Sequence, residues 1–137
     1  MDGFAFDQLT VGQTASLGKT ITEADILLFG AVSLDTNPVH FNAEIAALSP
    51  FKERIAHGML SAALISAVLG TKLPGPGTIY LGQTLQFRRP VKIGDTVTAT
   101  AEITALDPVK KHATLKTTCT VDGKAVITGE ATVMPRP

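Results

Sequence analysis

The chain has 137 residues, of which 45% are hydrophobic and 18% are charged, and its formal net charge is zero. A chain of this length fits one domain, which we take as residues 1–137. Balanced charge without a run of lysine or arginine argues against nucleic-acid binding, which draws on a strong basic field. The single cysteine excludes an internal disulfide and suits a reducing compartment, so we expect a cytoplasmic protein.

Neither membrane association nor a metal site is predicted. The N-terminal residues lack the basic flank and apolar run of a signal peptide. The longest apolar stretch, residues 59–70, is shorter than the ~20 residues that a membrane span needs. The three histidines, His40, His57 and His112, are scattered along the chain and make a poor ligand set for zinc.

The first half of the chain predicts helices. Thr22 can cap a helix with acidic residues in its first turn, and an amphipathic pattern continues to about Ser33. Residues 34–54 look irregular, apart from one short helix capped by Asn42. From Gly58 to Leu69 apolar residues occur on every side of the helical wheel, which is typical of a buried helix. Gly70 is predicted to end that helix, and residues 74–77 to form a turn.

The second half predicts antiparallel strands, because apolar and polar residues alternate over residues 79–88, 97–103, 112–121 and 125–133. Asp122 and Gly123 are typical of a hairpin turn between the last two strands. Alternation of this kind indicates a sheet that packs on one side only, and the helix at residues 58–69 is the element apolar enough to cover it. We therefore predict an α+β fold in which an antiparallel sheet wraps around a buried central helix.

The segment 35–40 reads DTNPVH and sets a carboxylate and an imidazole five positions apart. Neither a straight helix nor a strand brings Asp35 and His40 together at that spacing. Pro38 removes a backbone donor and favours an extended Asn37, whose side chain can hold a bend. The alternative is an ordinary helix-exit turn, since such turns are rich in Asp, Asn and Pro.

The segment 55–59 reads IAHGM and leads into the apolar helix. Helix N-termini carry N–H groups without intrahelical partners and a partial positive charge. Gly58 can let a ligand oxygen approach those groups closely. The alternative is an ordinary helix start, and for His57 a packed structural role is favoured over a catalytic one.

Other polar residues are weaker candidates. Ser61 and Ser66 are each expected to bond to a carbonyl one turn earlier, since no nucleophile elbow occurs in the sequence. Cys119 is predicted to be an inert packing residue. The basic residues Arg88, Arg89 and Lys92 can meet phosphates, although such residues more often solvate a sheet edge.

With both motifs in view, the chain resembles the MaoC-like (R)-specific enoyl-CoA hydratases, or hydratase 2 enzymes, which have a hot-dog fold. The resemblance runs from about Leu9 to Val133 and includes segments 35–40, 55–59 and 79–83 together with Phe87. It is nearest to the small single-domain enzymes that supply (R)-3-hydroxyacyl-CoA for polyhydroxyalkanoate synthesis.

The resemblance implies roles for five residues. Asp35 and His40 would hold the catalytic water, the Gly58 N–H would bind the thioester oxygen, Asn37 would support the site, and Ser66 would lie near the substrate. It also implies an acyl-CoA substrate, a homodimer whose sheets join side by side, and no metal or redox cofactor, coenzyme A being part of the substrate.

Three other functions stay open. An acyl-carrier-protein dehydratase shares the chemistry and differs in its carrier. A hot-dog thioesterase commonly uses a carboxylate on or beside the central helix, and residues 58–70 contain no Asp or Glu. A non-catalytic acyl-binding domain would bind ligand without changing it. Small residues at positions 62, 63 and 67 permit a pocket beside the helix, and we expect short to medium acyl chains.

Overall fold

The computed structural model describes residues 2–137. Its elements are a 3₁₀ turn at Phe6–Gln8, then β1 (Thr14–Thr20), α1 (Glu23–Ser33), α2 (Pro38–Phe41), α3 (Ala43–Ala47), α4 (Gly58–Thr71), β2 (Ile79–Phe87), β3 (Thr96–Asp107), β4 (His112–Val121) and β5 (Lys124–Met134). Within residues 2–137, no helix combines the length and apolar character needed to cross a membrane.

The five strands of the described chain form one antiparallel sheet in the order β1-β3-β4-β5-β2. The four predicted strands are confirmed. Asp122 and Gly123 join β4 to β5 with φ angles of 50° and 76°, the two positive values of a tight hairpin turn. Strand β1 was not predicted, because its alternation rests on two small or medium apolar residues, Ala15 and Leu17.

Helix α4 lies across one face of the sheet, and the side chains between them form the core. The fully buried apolar residues of this layer include Ile65, Val68, Leu69, Val97, Ala99, Ala101, Ile103, Ala113, Leu115, Cys119, Ala131 and Val133. Burial of a side chain such as Leu115 contributes roughly 1.5–3 kcal/mol relative to leaving it exposed. Burial also raises the pKa of the Cys119 thiol to about 11, in keeping with the predicted inert role. This is the α+β hot-dog arrangement that the sequence predicted.

The prediction that α4 is buried on every side is wrong for the single chain. Met59 is 53% exposed, and Ala63 and Ser66 are exposed as well, because the sheet covers one face of the helix and leaves the other open. Gly70 does not end the helix, which continues to Thr71. A glycine stops a helix where the backbone turns left-handed, and that conformation occurs further on, at Gly75.

The short helices of the first half begin at side-chain caps. In α1, Thr22 and Asp25 accept hydrogen bonds from each other's backbone N–H at 3.1 and 2.9 Å, and the bond from Thr22 N–H lowers the pKa of Asp25. Asn42 caps α3 as predicted, its side-chain oxygen accepting from Ile45 N–H at 3.0 Å. Helix α2 was not predicted, although Asn37 and Pro38 are favoured residues at a helix start.

Candidate active site

The loop between α1 and α2 carries Asp35. Leu34 ends α1 in the left-handed conformation, with φ 64°, and so turns the chain away from the helix axis. An Asp35 carboxylate oxygen accepts a hydrogen bond from Asn37 N–H at 3.2 Å. The Asn37 side chain in turn accepts from Val39 N–H at 3.2 Å and caps α2. The predicted bend is therefore present, and it takes the form of a capped helical turn.

His40 is buried on α2, and its Nδ1 lies 2.8 Å from the carbonyl oxygen of Ile55. A carbonyl accepts hydrogen bonds but does not donate them, so Nδ1 carries the proton, and in neutral His40 Nε2 keeps a free lone pair. Desolvation by burial lowers the pKa of His40, and the nearby His57 lowers it further; the Ile55 carbonyl and Asp35 oppose them. His40 is thus a neutral imidazole near pH 7.

His57 immediately precedes α4, and its ring is packed among other rings. It stacks on His40 with 3.9 Å between centroids, meets Phe29 at a tilt with 4.9 Å between centroids, and meets the Phe41 ring edge-on at 5.5 Å. Its Nε2 lies 2.9 Å from the carbonyl oxygen of Asp35 and donates to it by the same argument. Nδ1 is buried and has no hydrogen-bond partner among residues 2–137. His57 is packed as predicted, and it also contacts both Asp35 and His40.

Asp35, His40 and His57 each place one donor atom within 4.8 Å of the other two. A water molecule that hydrogen bonds to two groups at about 2.8 Å can bridge atoms up to about 5 Å apart. The Asp35 carboxylate and the His40 ring are therefore close enough to share one water. The expectation that the histidines are scattered is wrong for two of them, since the fold brings His40 and His57 into contact.

These residues line a cavity of about 420 Å³ at the start of α4, which we call the first cavity. The other residues around it are Phe51, Ile55, Ala56, Gly58, Met59, Ser61, Phe87, Arg88, Arg89, Pro90, Val91 and Ile127. In the first turn of α4, Leu60 N–H already donates to the carbonyl oxygen of His57 at 3.1 Å. The N–H groups of Gly58 and Met59 lie too early in the helix to have intrahelical acceptors, and they carry the positive end of its dipole. The cavity thus combines a carboxylate–imidazole pair with backbone donors at a helix N-terminus.

Gly58 lies directly against the Phe87 ring of β2. A Cβ at this position would lie 2.6 Å from two ring carbons of Phe87, much closer than real side chains approach. The missing side chain makes room for the Phe87 ring over the helix start, whereas the sequence suggested that it makes room for a ligand oxygen. The backbone N–H of Gly58 still belongs to the first turn of α4 at the cavity wall.

The two serines of α4 lie in different places. Ser61 lines the first cavity, and its buried Oγ has no partner within residues 2–137, so the expected bond to a carbonyl one turn earlier is absent. Ser66 does not line the first cavity. It lies in a second cavity of about 460 Å³, together with Phe29, Met59, Ala62, Ala63, Tyr80, Leu81, Gly82, Gln83 and Leu85. Met59 borders both cavities.

Arg54 was not singled out in the sequence, yet it holds the site together. Its Nε donates to the carbonyl oxygen of His40 at 2.7 Å. Its two terminal nitrogens lie 2.9 Å from the two carboxylate oxygens of Glu23, at the start of α1. A two-point contact of this kind fixes the guanidinium plane and hence the position of α2 relative to α1.

The basic residues near the first cavity divide into two groups. Arg88 and Arg89 line it, and Arg88 Nε also donates to Thr128 at 3.1 Å. Lys92 does not line it and instead forms an ion pair with Glu53 at 3.3 Å.

The fold and the site together define a class of protein: a hot-dog enzyme in which an Asp–His pair faces the N-terminus of the central helix. The model of the MaoC like domain matches residues 8–131. An (R)-specific enoyl-CoA hydratase of Rhodospirillum rubrum is 63% identical over 129 residues, which cover 94% of this chain and 90% of the relative. The chain therefore belongs to the MaoC-like family, and it is an enzyme of the hydro-lyase class.

Solved structures agree with this placement. The R-hydratase PhaJ1 from Pseudomonas aeruginosa superposes with a TM-score of 0.92 at 51% identity, covering 99% of this chain and 88% of that one. An (R)-hydratase from Aeromonas caviae, described as involved in PHA biosynthesis, superposes with a TM-score of 0.90 at 48% identity, covering 93% and 97%. Both comparisons support the hot-dog fold over nearly the whole chain.

Proposed function

We propose that this enzyme catalyses the reversible (R)-specific hydration of trans-2-enoyl-CoA to (R)-3-hydroxyacyl-CoA. The observation that carries the proposal is the convergence of the Asp35 carboxylate and the His40 imidazole in a cavity at the N-terminus of α4. The relative that is 63% identical is an (R)-specific enoyl-CoA hydratase, which supports the same reaction. Coenzyme A enters as part of the substrate, and the chemistry needs no metal or redox cofactor.

The catalytic water is held between Asp35 and His40. A carboxylate accepts hydrogen bonds, and the Nε2 of neutral His40 is the second acceptor. The water oxygen adds to C3 of the enoyl group, the pair takes up one of its protons, and a proton is delivered to C2 on the same face. Because the two groups contact the same water, they act as a unit. Acid–base assistance of this kind typically contributes 10²–10⁴ in rate.

The thioester oxygen gains negative charge as the C–O bond forms. The Gly58 N–H and the dipole of α4 supply stabilisation, and one such donor is worth about 10²–10³ in rate in other enzymes. Asn37 supports the site by capping α2, since its side chain holds the turn that brings Asp35 towards His40.

The second cavity is the proposed place for the acyl chain, because its walls are largely apolar and it adjoins the first cavity at Met59. Ser66 lies there, which agrees with a position near the substrate tail rather than near the water. The small side chains of Ala62 and Ala63 leave room for an acyl tail in this cavity, and we expect short to medium chains.

We also infer a homodimer whose two sheets join side by side through β2. This strand is at the edge of the sheet, and Ile79, Leu81 and Phe87 are about half exposed on it. An exposed apolar edge strand is a pairing surface, and a second copy would cover it together with the open face of α4. A role in storage-polymer supply fits the Aeromonas caviae relative, which is described as involved in PHA biosynthesis, and the single cysteine suits a cytoplasmic setting.

The test is a hydration assay with enoyl-CoA substrates of increasing chain length and chiral analysis of the alcohol. We expect loss of the enoyl-thioester absorbance and formation of the (R)-alcohol. An (S)-product, or no change in absorbance despite tight binding, would contradict the proposal; the latter result would favour an acyl-binding domain.

Carrier and reaction type are separated by two further measurements. Matched acyl-CoA and acyl-carrier-protein substrates distinguish a CoA hydratase from the carrier-protein dehydratase. Release of free coenzyme A from saturated acyl-CoA would indicate the thioesterase, which is disfavoured because residues 58–71 contain no Asp or Glu.

A further inference from the structure

We propose that Gln83 is a specificity-determining residue: its amide, held by Tyr80 and Thr117, forms a polar end to the second cavity and disfavours long acyl tails. This inference rests on the proposed function in one respect, namely that the acyl tail enters the second cavity. The walls of that cavity are otherwise largely apolar and include Phe29, Met59, Ala62, Ala63, Leu81 and Leu85.

Hydrogen bonds fix both ends of the Gln83 amide. Its Nε2 donates to the carbonyl oxygen of Thr84 at 2.7 Å and to the hydroxyl oxygen of Thr117 at 2.8 Å. A carbonyl oxygen only accepts hydrogen bonds, so the amide nitrogen faces Thr84 and Oε1 faces Tyr80, whose hydroxyl donates to it. Both amide hydrogens are therefore used, and the side chain has one orientation.

The anchor of this network lies in the core, behind the cavity wall. Thr117 is fully buried on β4, and strand β5 runs between it and Gln83. The Gln83 side chain crosses β5 beside Gly129, which pairs with Thr117. A Cβ on Gly129 would lie 3.1 Å from Gln83 Nε2 and 1.9 Å from the Thr84 oxygen, so the glycine leaves the space that the amide needs. Satisfied networks of this kind rigidify the side chains that form them.

Gln83 lies at the end of the second cavity that is remote from the catalytic groups. Phe87 of β2 lies against Gly58 at the start of α4. Gln83 is about 13 Å from Phe87 along the strand, and Ser66 is about 12 Å from Gly58 along the helix. Because Gln83 and Ser66 line the same cavity, it extends between α4 and β2 away from Gly58. A tail whose thioester lies at Gly58 therefore reaches Gln83 only when it is long.

The acceptors at this end make contact with a hydrocarbon unfavourable. Gln83 Oε1 accepts one hydrogen bond and has a second lone pair, and the Tyr80 oxygen has lone pairs of its own. Burial raises the pKa of Tyr80, so its hydroxyl stays protonated near pH 7. Tyr80 is 40% exposed, so water reaches these atoms when the cavity end is empty. A long tail displaces that water and leaves acceptors without partners, whereas a short tail does not.

The experiment measures the binding of butyryl-CoA and octanoyl-CoA by isothermal titration calorimetry to the parent, Gln83→Met and the double variant Gln83→Met/Thr117→Val. Methionine keeps the length of glutamine and valine the shape of threonine, so the double variant removes both hydrogen-bond partners without emptying the site. We expect the ratio of octanoyl-CoA to butyryl-CoA affinity to rise about tenfold, with little change for butyryl-CoA. If the double variant does not fold, as judged by its thermal midpoint, Gln83→Met alone decides.

Gln86→Met is the matched control. Gln86 is exposed on the opposite face of β2 and lines neither cavity, so the same substitution there should leave the affinity ratio unchanged. An unchanged ratio in the Gln83 variants, an equal loss of affinity for both ligands, or the same rise in Gln86→Met would overturn the proposal.

The binding measurement uses saturated acyl-CoA and so needs no turnover. A rise in the ratio in a protein that does not hydrate crotonyl-CoA would support the role of Gln83 and refute the proposed reaction alone. In a protein that does hydrate it, the Gln83 variants should lower KM for octenoyl-CoA and leave kcat for crotonyl-CoA unchanged. A fall in kcat at both chain lengths would indicate a merely structural role.

Discussion

The first and second cavities are similar in volume, about 420 and 460 Å³, but they are built differently. In the first, the functional groups are held by specific hydrogen bonds: the caps of α2 and the carbonyls of Ile55 and Asp35. The second is a largely apolar groove between the open face of α4 and the edge strand β2, and in its wall Tyr80 donates to Gln83, which in turn donates to Thr117.

Because the two cavities are built differently, we expect them to have different tasks. The first cavity is built by the α1–α2 loop, the start of α4 and residues 87–91 of the same chain, so the Asp35–His40 geometry is present in the monomer. The second has one wall that a single chain leaves uncovered, so its final shape depends on what packs against β2. We expect substitutions in the first cavity to affect turnover for every substrate, and substitutions in the second to affect assembly or chain-length preference.

The largest effect is expected from Asp35→Asn. An amide cannot accept the proton of the catalytic water, so hydration of crotonyl-CoA should fall by about 10²–10⁴. The thermal midpoint should change little, because Asp35 is exposed and asparagine keeps the oxygen that accepts from Asn37 N–H. Asp122→Asn, in the β4–β5 turn, is the control. Near-normal turnover in Asp35→Asn would remove this residue from the mechanism.

Leu81→Lys tests the uncovered wall of the second cavity. A charge on the apolar face of β2 should shift the protein from dimer to monomer in analytical ultracentrifugation, with a smaller loss of activity than Asp35→Asn. Val109→Lys is the matched control, since Val109 is 89% exposed in the β3–β4 turn and lines neither cavity. An unchanged sedimentation coefficient for Leu81→Lys would contradict pairing through this edge.

Ser66→Leu should reduce the activity on longer acyl chains and spare crotonyl-CoA. The larger side chain fills part of the second cavity, and overfilling of a packed site typically costs about 1–3 kcal/mol. The measurement is kcat/KM across a series of enoyl-CoA chain lengths, with Ser16→Leu on the exposed face of β1 as the control. Equal losses at every chain length would place the acyl tail elsewhere.

The smallest effect concerns pH. Burial lowers the pKa of His40 below its ordinary value of 6.5, so the neutral base persists and activity should be retained as the pH falls through 6.5. Between the lowered folded-state pKa and 6.5 the unfolded chain binds more protons than the folded one, so the free energy of unfolding should decrease on acidification in this window. Rate profiles and urea titrations at a series of pH values measure both. An acid limb at or above pH 6.5 would contradict this assignment.

The sequence pattern predicts which face of a strand is apolar, but not what covers that face. Strands β2 and β4 alternate equally clearly, yet Leu115 on β4 is fully buried whereas Leu81 on β2 is 46% exposed. The reason is the strand order, which places β4 at the centre and β2 at the edge. Strand order depends on long-range pairing, and no local pattern encodes it. The same limit explains why α4 was expected to be covered on all sides.

The site was predictable where its geometry is local. The bend that joins Asp35 to His40 depends on Asn37 and Pro38, whose conformational preferences are known. These two residues are also typical of a helix start, but the segment was interpreted as a loop, so α2 was missed. His57 was assigned a structural role, because no spacing rule relates it to a residue 22 positions away. Its contact with the Asp35 carbonyl arises only when α4 docks beside the α1–α2 loop.

Arg54 has a practical consequence for anyone who redesigns the outside of this enzyme. Its guanidinium group joins Glu23 to the carbonyl oxygen of His40, so the backbone that carries the proposed base is tethered to an ion pair at the protein–solvent boundary. High ionic strength, or an engineered charge swap at Glu23, would loosen that tether from outside either cavity. A surface redesign that substitutes Glu23 as if it had no structural role would therefore alter the reactivity of the enzyme.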